Sequence, residues 1–226
     1  MKKMMMIAAM LVATVSANAQ FEPGTFSLQP KLGVSASWLS NMPNIQASNS
    51  VKLDKSPVAG FLIGCEAEYQ LTNMLSLAAG LNYSLQGSGW DDYEKKEGNI
   101  TYKLKDSKIE LGYITLPVVA NVYLFKGFAI KGGVQFGFLT NANEKLSFNV
   151  SGSSSNLNID MDESIKDECE KLDISIPMGV SYQVPTIPIV IDARYNLGLT
   201  RLNKEKEDKN YKNNVIQLTV GYKFKL

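Results

Sequence analysis

Residues 187–199 read Ile-Pro-Ile-Val-Ile-Asp-Ala-Arg-Tyr-Asn-Leu-Gly-Leu. Ile187, Ile189, Ile191, Ala193, Tyr195, Leu197 and Leu199 fall on one side of an extended chain. Asp192, Arg194, Asn196 and Gly198 fall on the other. A period of two over thirteen residues is the signature of a strand with two unlike environments. The same sorting recurs in residues 28–39, 58–70, 75–86, 113–124, 128–139, 172–183 and 215–226. That makes eight runs. None of the apolar faces carries a charge, although charged residues make up 20% of the chain. The opposite faces carry Lys31, Glu66, Glu68, Lys131, Asp173, Asp192, Arg194, Lys223 and Lys225, among many Gly, Ser, Asn and Gln.

Two architectures sort residues this way. A soluble lipocalin-like barrel turns its apolar face inward and its charges to water. A membrane barrel turns its apolar face to lipid and fills its interior with the polar one. The runs are long enough to cross a bilayer when tilted, which takes roughly 9–11 residues. Aromatics stand near the run ends, Trp38, Phe61, Tyr83 and Phe138 at one level and Tyr69, Phe128, Tyr182 and Phe224 at the other. That spacing matches the girdles of a membrane barrel. The small residues of the polar face suit a cramped interior better than a solvated surface. The links alternate in length: 40–57, 87–112, 140–171 and 200–214 are long, whereas 71–74, 125–127 and 184–186 are short. The expected fold is therefore all-β: an eight-stranded antiparallel up-and-down transmembrane barrel with four long extracellular loops and three short periplasmic turns. Strands 1 and 8 pair to close it, because an open edge is not tolerated in lipid. Pro117 and Pro177 fall mid-strand on the polar face and are expected at bulges.

The start of the chain reads as an export signal. Lys2 and Lys3 precede an apolar stretch over residues 4–15, and Ala17-Asn18-Ala19 forms a small-x-small cleavage site. The expected division is a signal peptide over 1–19 and an outer-membrane barrel domain over 20–226.

Four segments resemble the PorT-like outer-membrane β-barrel family of Gram-negative bacteria. They are Tyr113-Ile-Thr-Leu-Pro117, similar to the family's "YLEIP" strand; Gly132-Gly-Val-Gln-Phe-Gly-Phe138; Asp192-Ala-Arg-Tyr-Asn-Leu-Gly-Leu199; and Gln217-Leu-Thr-Val-Gly-Tyr-Lys-Phe224. The resemblance covers residues 28–226 and departs at the end, where Leu226 stands in place of a common terminal aromatic. It implies the fold and an outer-membrane location. The family's namesake assists protein secretion, which implies an accessory role without fixing one, since fold does not carry function.

The chemistry of individual residues narrows the field further. Histidine is absent and only two cysteines occur, which removes Ser-His-Asp and Cys-His catalysis, His-ligated metals and four-cysteine zinc sites. The charge balance, 23 basic against 22 acidic, argues against nucleic-acid binding. The interior charges read as a salt-bridge network, with the acids of runs 2 and 7 facing the bases of runs 1, 5 and 8. Asp160, Asp162, Glu163, Asp167, Glu168 and Glu170 lack calcium-loop spacing and read as solvated. Trp90, Tyr93 and Tyr102 fit either binding anchors or rim packing. Cys65 and Cys169 lie at different depths and are expected to be free. No catalytic, metal or cofactor-binding residue is assigned and no cofactor is expected. Lipid is the expected partner, with a secretion or surface partner left unnamed, and the protein is expected to be a monomer. The function expected is that of a non-enzymatic integral outer-membrane protein with a structural, binding or secretion-accessory role. A small transport channel and a soluble periplasmic lipocalin-like carrier are the alternatives. N-terminal sequencing of protein extracted from membranes should begin at Gln20, and a start at Met1 would contradict the export reading.

Overall fold

The computed structural model describes residues 22–42, 45–48, 51–98, 100–151, 156–204 and 210–226. The leader expected over residues 1–19 lies outside them. The strands in chain order are β1 (Phe26–Ser40), β2 (Ile45–Ser48), β3 (Val51–Leu53), β4 (Lys55–Gln70), β5 (Leu75–Trp90), β6 (Tyr93–Glu97) and β7 (Ile100–Phe125). They continue with β8 (Phe128–Ser151), β9 (Asn156–Ser164), β10 (Leu172–Gln183), β11 (Ile189–Gly198), β12 (Lys212–Tyr222) and β13 (Phe224–Lys225).

Eight of these form a closed antiparallel ring, β1-β4-β5-β7-β8-β10-β11-β12, in which each strand bonds to its sequence neighbours. Closure comes from β1 and β12, in unbroken register from Lys31↔Gly221 to Ser40↔Lys212. Below that seam β13 continues the pairing through Ser27↔Lys225 and Leu28↔Phe224. The Leu226 N–H then donates to the Phe26 carbonyl at 2.9 Å. Every strand of the ring therefore has a partner on both sides, as hydrocarbon demands of a spanning sheet.

The faces are inverted relative to a soluble protein. Leu32, Ile63, Leu81, Val118, Ile191 and Leu218 are exposed on the outside, whereas Lys31, Glu66, Glu68, Asp192, Arg194 and Gln217 are buried inside. Rings approach one another at both belts expected to carry aromatics. Phe61 and Tyr83 stand 6.2 Å apart and Trp38 stacks on Tyr195 at 6.1 Å at one level. Phe125–Phe128 and Tyr222–Phe224 lie at 4.7 and 4.5 Å at the other.

Two expectations need correction. Pro117 and Pro177 do not sit at bulges. The β5–β7 register is the same on both sides of Pro117, from Asn82↔Thr115 to Ala79↔Val118. The β8–β10 register is likewise the same on both sides of Pro177, from Ser175↔Gln135 to Met178↔Gly132. Continuing each register sets Gly80 opposite Pro117 and Gly133 opposite Pro177. Both prolines are fully buried, and the Pro117 ring lies against Gly80, where a Cβ would stand 3.1 Å from Pro117 Cγ. Pairing on that side lapses for two residues at each proline and resumes in the same register, so the missing donor interrupts the ladder without shifting it.

The second correction concerns the long links. Residues 87–112 and 140–171, expected as loops, are largely strand. β7 and β8 run 26 and 24 residues and continue well beyond the ring. There β6 pairs with β7 and β9 with β8, giving a four-stranded sheet in the order β6-β7-β8-β9. The first link also holds a small hairpin of β2 and β3.

A single inserted residue marks the junction between ring and extension. Gly112↔Asn141 is followed by Tyr113↔Leu139, leaving Thr140 as the extra residue of β8. Thr140 Oγ1 donates to the Gly112 carbonyl at 2.8 Å. Because side chains alternate, one extra residue exchanges the faces of the strand. Below it, even-numbered Phe136 and Phe138 point outward and are exposed; above it, even-numbered Ala142 is fully buried on the inner side. An apolar outer face thus gives way to a charged one where lipid gives way to water.

The inverted faces generate a test. Val118→Arg or Ile191→Arg should destabilise the barrel by about 2–4 kcal/mol, measured by denaturant titration in lipid vesicles. Unchanged stability of both would mean the outward faces are misassigned.

Candidate functional site: the barrel interior and its outer mouth

Inside the ring, strand curvature brings opposite walls within side-chain reach, and charges far apart in sequence converge. Glu66 of β4 is the hub. Its Oε2 receives Lys31 Nζ at 2.7 Å and Arg194 Nη2 at 3.2 Å, and its Oε1 receives Lys131 Nζ at 3.1 Å. Asp192 completes the cluster, accepting from Lys131 Nζ at 2.6 Å and from Arg194 through Nη2 at 2.9 Å and Nε at 3.2 Å. A second cluster surrounds Glu68. Lys223 Nζ donates to its Oε2 at 2.7 Å, and Tyr123 OH and Ser76 Oγ donate to its Oε1 at 2.5 and 2.6 Å. Asn121 Nδ2 in turn donates to Ser76 Oγ at 3.0 Å.

An eight-stranded ring is just wide enough for its side chains, so these long groups need neighbours that take no room. Register supplies them. Lys31 lies beside Gly64 and Gly221, Glu66 beside Gly80, and Lys131 and Arg194 both beside Gly179. Close strand approach explains Gly179 as well, since a Cβ there would stand 2.4 Å from the Ala193 carbonyl oxygen. Burial of an ion costs several kcal/mol unless it is paired and hydrogen-bonded, and the two clusters meet both conditions.

Of the nine charges expected inside, seven come together. Lys225 does not: it belongs to β13 and is exposed. Asp173 lies higher, toward the mouth, where Thr200 Oγ1 donates to it at 2.7 Å. Four cations therefore face three carboxylates.

Sequence reasoning missed the layer above. Leu39, Met42, Leu111, Tyr113, Leu139, Ala142, Cys169 and Leu202 form one buried apolar cluster, with Trp90, Ile109, Ile165 and Tyr211 packed against it. It spans the outer mouth, just past the polar interior. A signal was present, because Leu39, Leu111 and Leu139 occupy positions whose parity is otherwise polar. The cluster draws on five separated segments, however, and only the closed ring brings them together. Cys169 is held here by an isolated bridge to Asn203, and burial, with Glu168 beside it, pushes its thiol up to about 11. Cys169 and Cys65 are both free.

The remaining candidates lie in the extension. Trp90 packs on the rim, while Tyr93 and Tyr102 stand on the sheet's apolar side by register with Leu104 and Val150. Asp160 accepts from Ser147 Oγ at 2.6 Å and Asp162 from Asn143 Nδ2 at 3.2 Å. On the outward face Glu110 bonds Lys145 at 2.8 Å and Lys108 at 3.0 Å, which hold its carboxyl below the usual range.

The clusters predict unequal costs. Glu66→Gln leaves Lys31, Lys131 and Arg194 short of an anion and should destabilise by about 3–5 kcal/mol. Lys225→Ala should stay within about 0.5 kcal/mol. Equal effects in vesicle unfolding would contradict the network.

Comparison with known proteins agrees with this architecture. The model of a family described as "Outer membrane protein beta-barrel domain" matches residues 18–204. No curated protein matches the chain. Among solved structures the chain is similar to Ail, the attachment invasion locus protein of Yersinia pestis, at 17% identity, covering 89% of this chain and 99% of that one with a TM-score of 0.43. It is similar to Neisserial surface protein A at 16% identity, covering 88% and 97% with a TM-score of 0.42. The N-terminal barrel domain of Pseudomonas aeruginosa OprF aligns at 14% identity over 90% and 100%, with a TM-score of 0.32. Closed ring, apolar outside, polar inside and the match over residues 18–204 converge: the chain belongs to the outer membrane protein beta-barrel domain family and is an integral protein of the outer membrane.

Proposed function

We propose that the protein is a non-enzymatic, non-conducting barrel whose work is done at the cell surface, as a binding or secretion-accessory element of the PorT-like kind. The observation that carries this reading is the double filling of the interior. Lys31, Glu66, Lys131, Asp192 and Arg194 tie facing walls together across the axis. Above them, the cluster around Leu111, Tyr113 and Leu139 occupies the mouth. A hydrated ion entering from outside would first have to lose its water against apolar groups. It would then have to break charge pairs that are costly to separate. The sequence offers no histidine, the residue most often used as general base. The parts left free to act are the links and the β6–β9 extension, carried on a rigid ring. Cleavage after Ala19, export of residues 20–226 and action as a monomer embedded in lipid complete the reading.

The purified wild-type protein in a planar bilayer should give no stable open-channel current. Steady conductance would overturn the closed interior and favour a small transport channel instead.

A further inference from the structure

The extension has two outer edges, and they are not alike. β6 is five residues long and carries Lys95 and Lys96. A short, lysine-bearing edge is one that resists strand addition. β9 is nine residues, Asn-Leu-Asn-Ile-Asp-Met-Asp-Glu-Ser, with no Lys, Pro or Gly. Its register with β8 runs without a bulge from Asn143↔Ser164 to Ser151↔Asn156. It pairs with β8 alone among the described strands and ends the sheet. In an antiparallel pair only alternate residues bond to the neighbour, so half the backbone groups of β9 face away from the sheet.

Its side chains are sorted too. Leu157, Ile159 and Met161 are 54%, 41% and 49% exposed on one face. Asp160 and Asp162 occupy the other, and Glu163 ends the row that Leu157, Ile159 and Met161 form. The strand carries three negative charges and no positive one.

We infer that β9 is a docking edge for an extended segment of another polypeptide, one that alternates apolar and basic residues and adds to the sheet as a fifth strand. Backbone groups of β9 supply the ladder, the apolar row supplies burial, and the carboxylates select the charge. A second copy of this chain is a poor occupant, because antiparallel pairing of two β9 strands sets their aspartates against each other. The inference rests on the surface role proposed above and names the chemistry of its partner.

The test uses the full protein in detergent micelles with three nine-residue probes: alternating valine and lysine, alternating valine and glutamate, and the valine–lysine peptide N-methylated at alternate amides. Binding is read by fluorescence anisotropy and by hydrogen exchange of β9. The valine–lysine peptide should bind and slow exchange in β9. The N-methylated and glutamate peptides should not. The double variant Asp160→Lys/Asp162→Lys should weaken binding by about tenfold or more, and Ile159→Ser should weaken it while exchange in β1 and β12 stays as in wild type. Binding insensitive to N-methylation, equal affinity for both charges, or protection confined to other strands would each overturn the inference. So would a peptide-free dimer with β9 protected, which would name a second copy as the occupant. A conducting barrel would sink the closed-interior reading without altering β9 protection, so the two fail separately.

Discussion

The structure depends on one constraint: a backbone crossing hydrocarbon must satisfy its own hydrogen bonds. A sheet can do so only by closing, and the pairing of β1 with β12, sealed below by β13, performs that closure. Closure with eight strands then dictates the rest. The interior becomes narrow, so inward positions alternate between long polar groups and glycines that give them room. The outside becomes a solvent-matched apolar surface. Even the two mid-strand prolines obey the same geometry: both are buried inside, Pro117 against Gly80 of the neighbouring strand.

Within the ring, Glu66 holds a position that no other carboxylate has. It accepts from three cations carried on β1, β8 and β11, and so ties separate walls to one point. Asp192 shares two of those cations, and Glu68 anchors Lys223 next to the seam. The network is therefore a tertiary fastening as well as a filling, and the surplus of one positive charge is spread among groups already hydrogen-bonded. Above it the apolar mouth separates these pairs from water on the outer side, which keeps their mutual attraction strong.

At the rim the medium outside changes from lipid to water, and the chain responds with one residue. Thr140 shifts the β7–β8 register, and the apolar alternation of β8 continues in sequence while its faces exchange in space. Leu146, Phe148 and Val150 thereby share a side with Ala142 of the mouth cluster, and Lys145, facing the other way, joins Glu110 in the charged outer surface. With a second register shift higher up, between Lys105 and Lys108 of β7, this device lets two strands of the barrel become the centre of a surface sheet.

The amino-acid sequence alone determined the fold class and the inside and outside of the barrel, because alternation is a local property: each of Leu77, Leu81, Val118 and Ile191 declares its face by parity with its neighbours. It also marked the interior ions, since charge on one face of an apolar strand has nowhere else to go. Three things were decided only by tertiary structure. Which charges meet depends on strand stagger around a closed ring, so Lys225, alike in parity to Lys223, lies exposed at the lower end of the ring while Lys223 joins Glu68. The mouth cluster assembles Leu39, Leu111, Leu139 and Leu202 from distant segments, a proximity that no local pattern encodes. The strand character of residues 93–97 and 156–164 was hidden for the same reason: a five-residue segment of mixed charge and an acidic one look like loop, and only the edges offered by the extended β7 and β8 give those residues backbone partners.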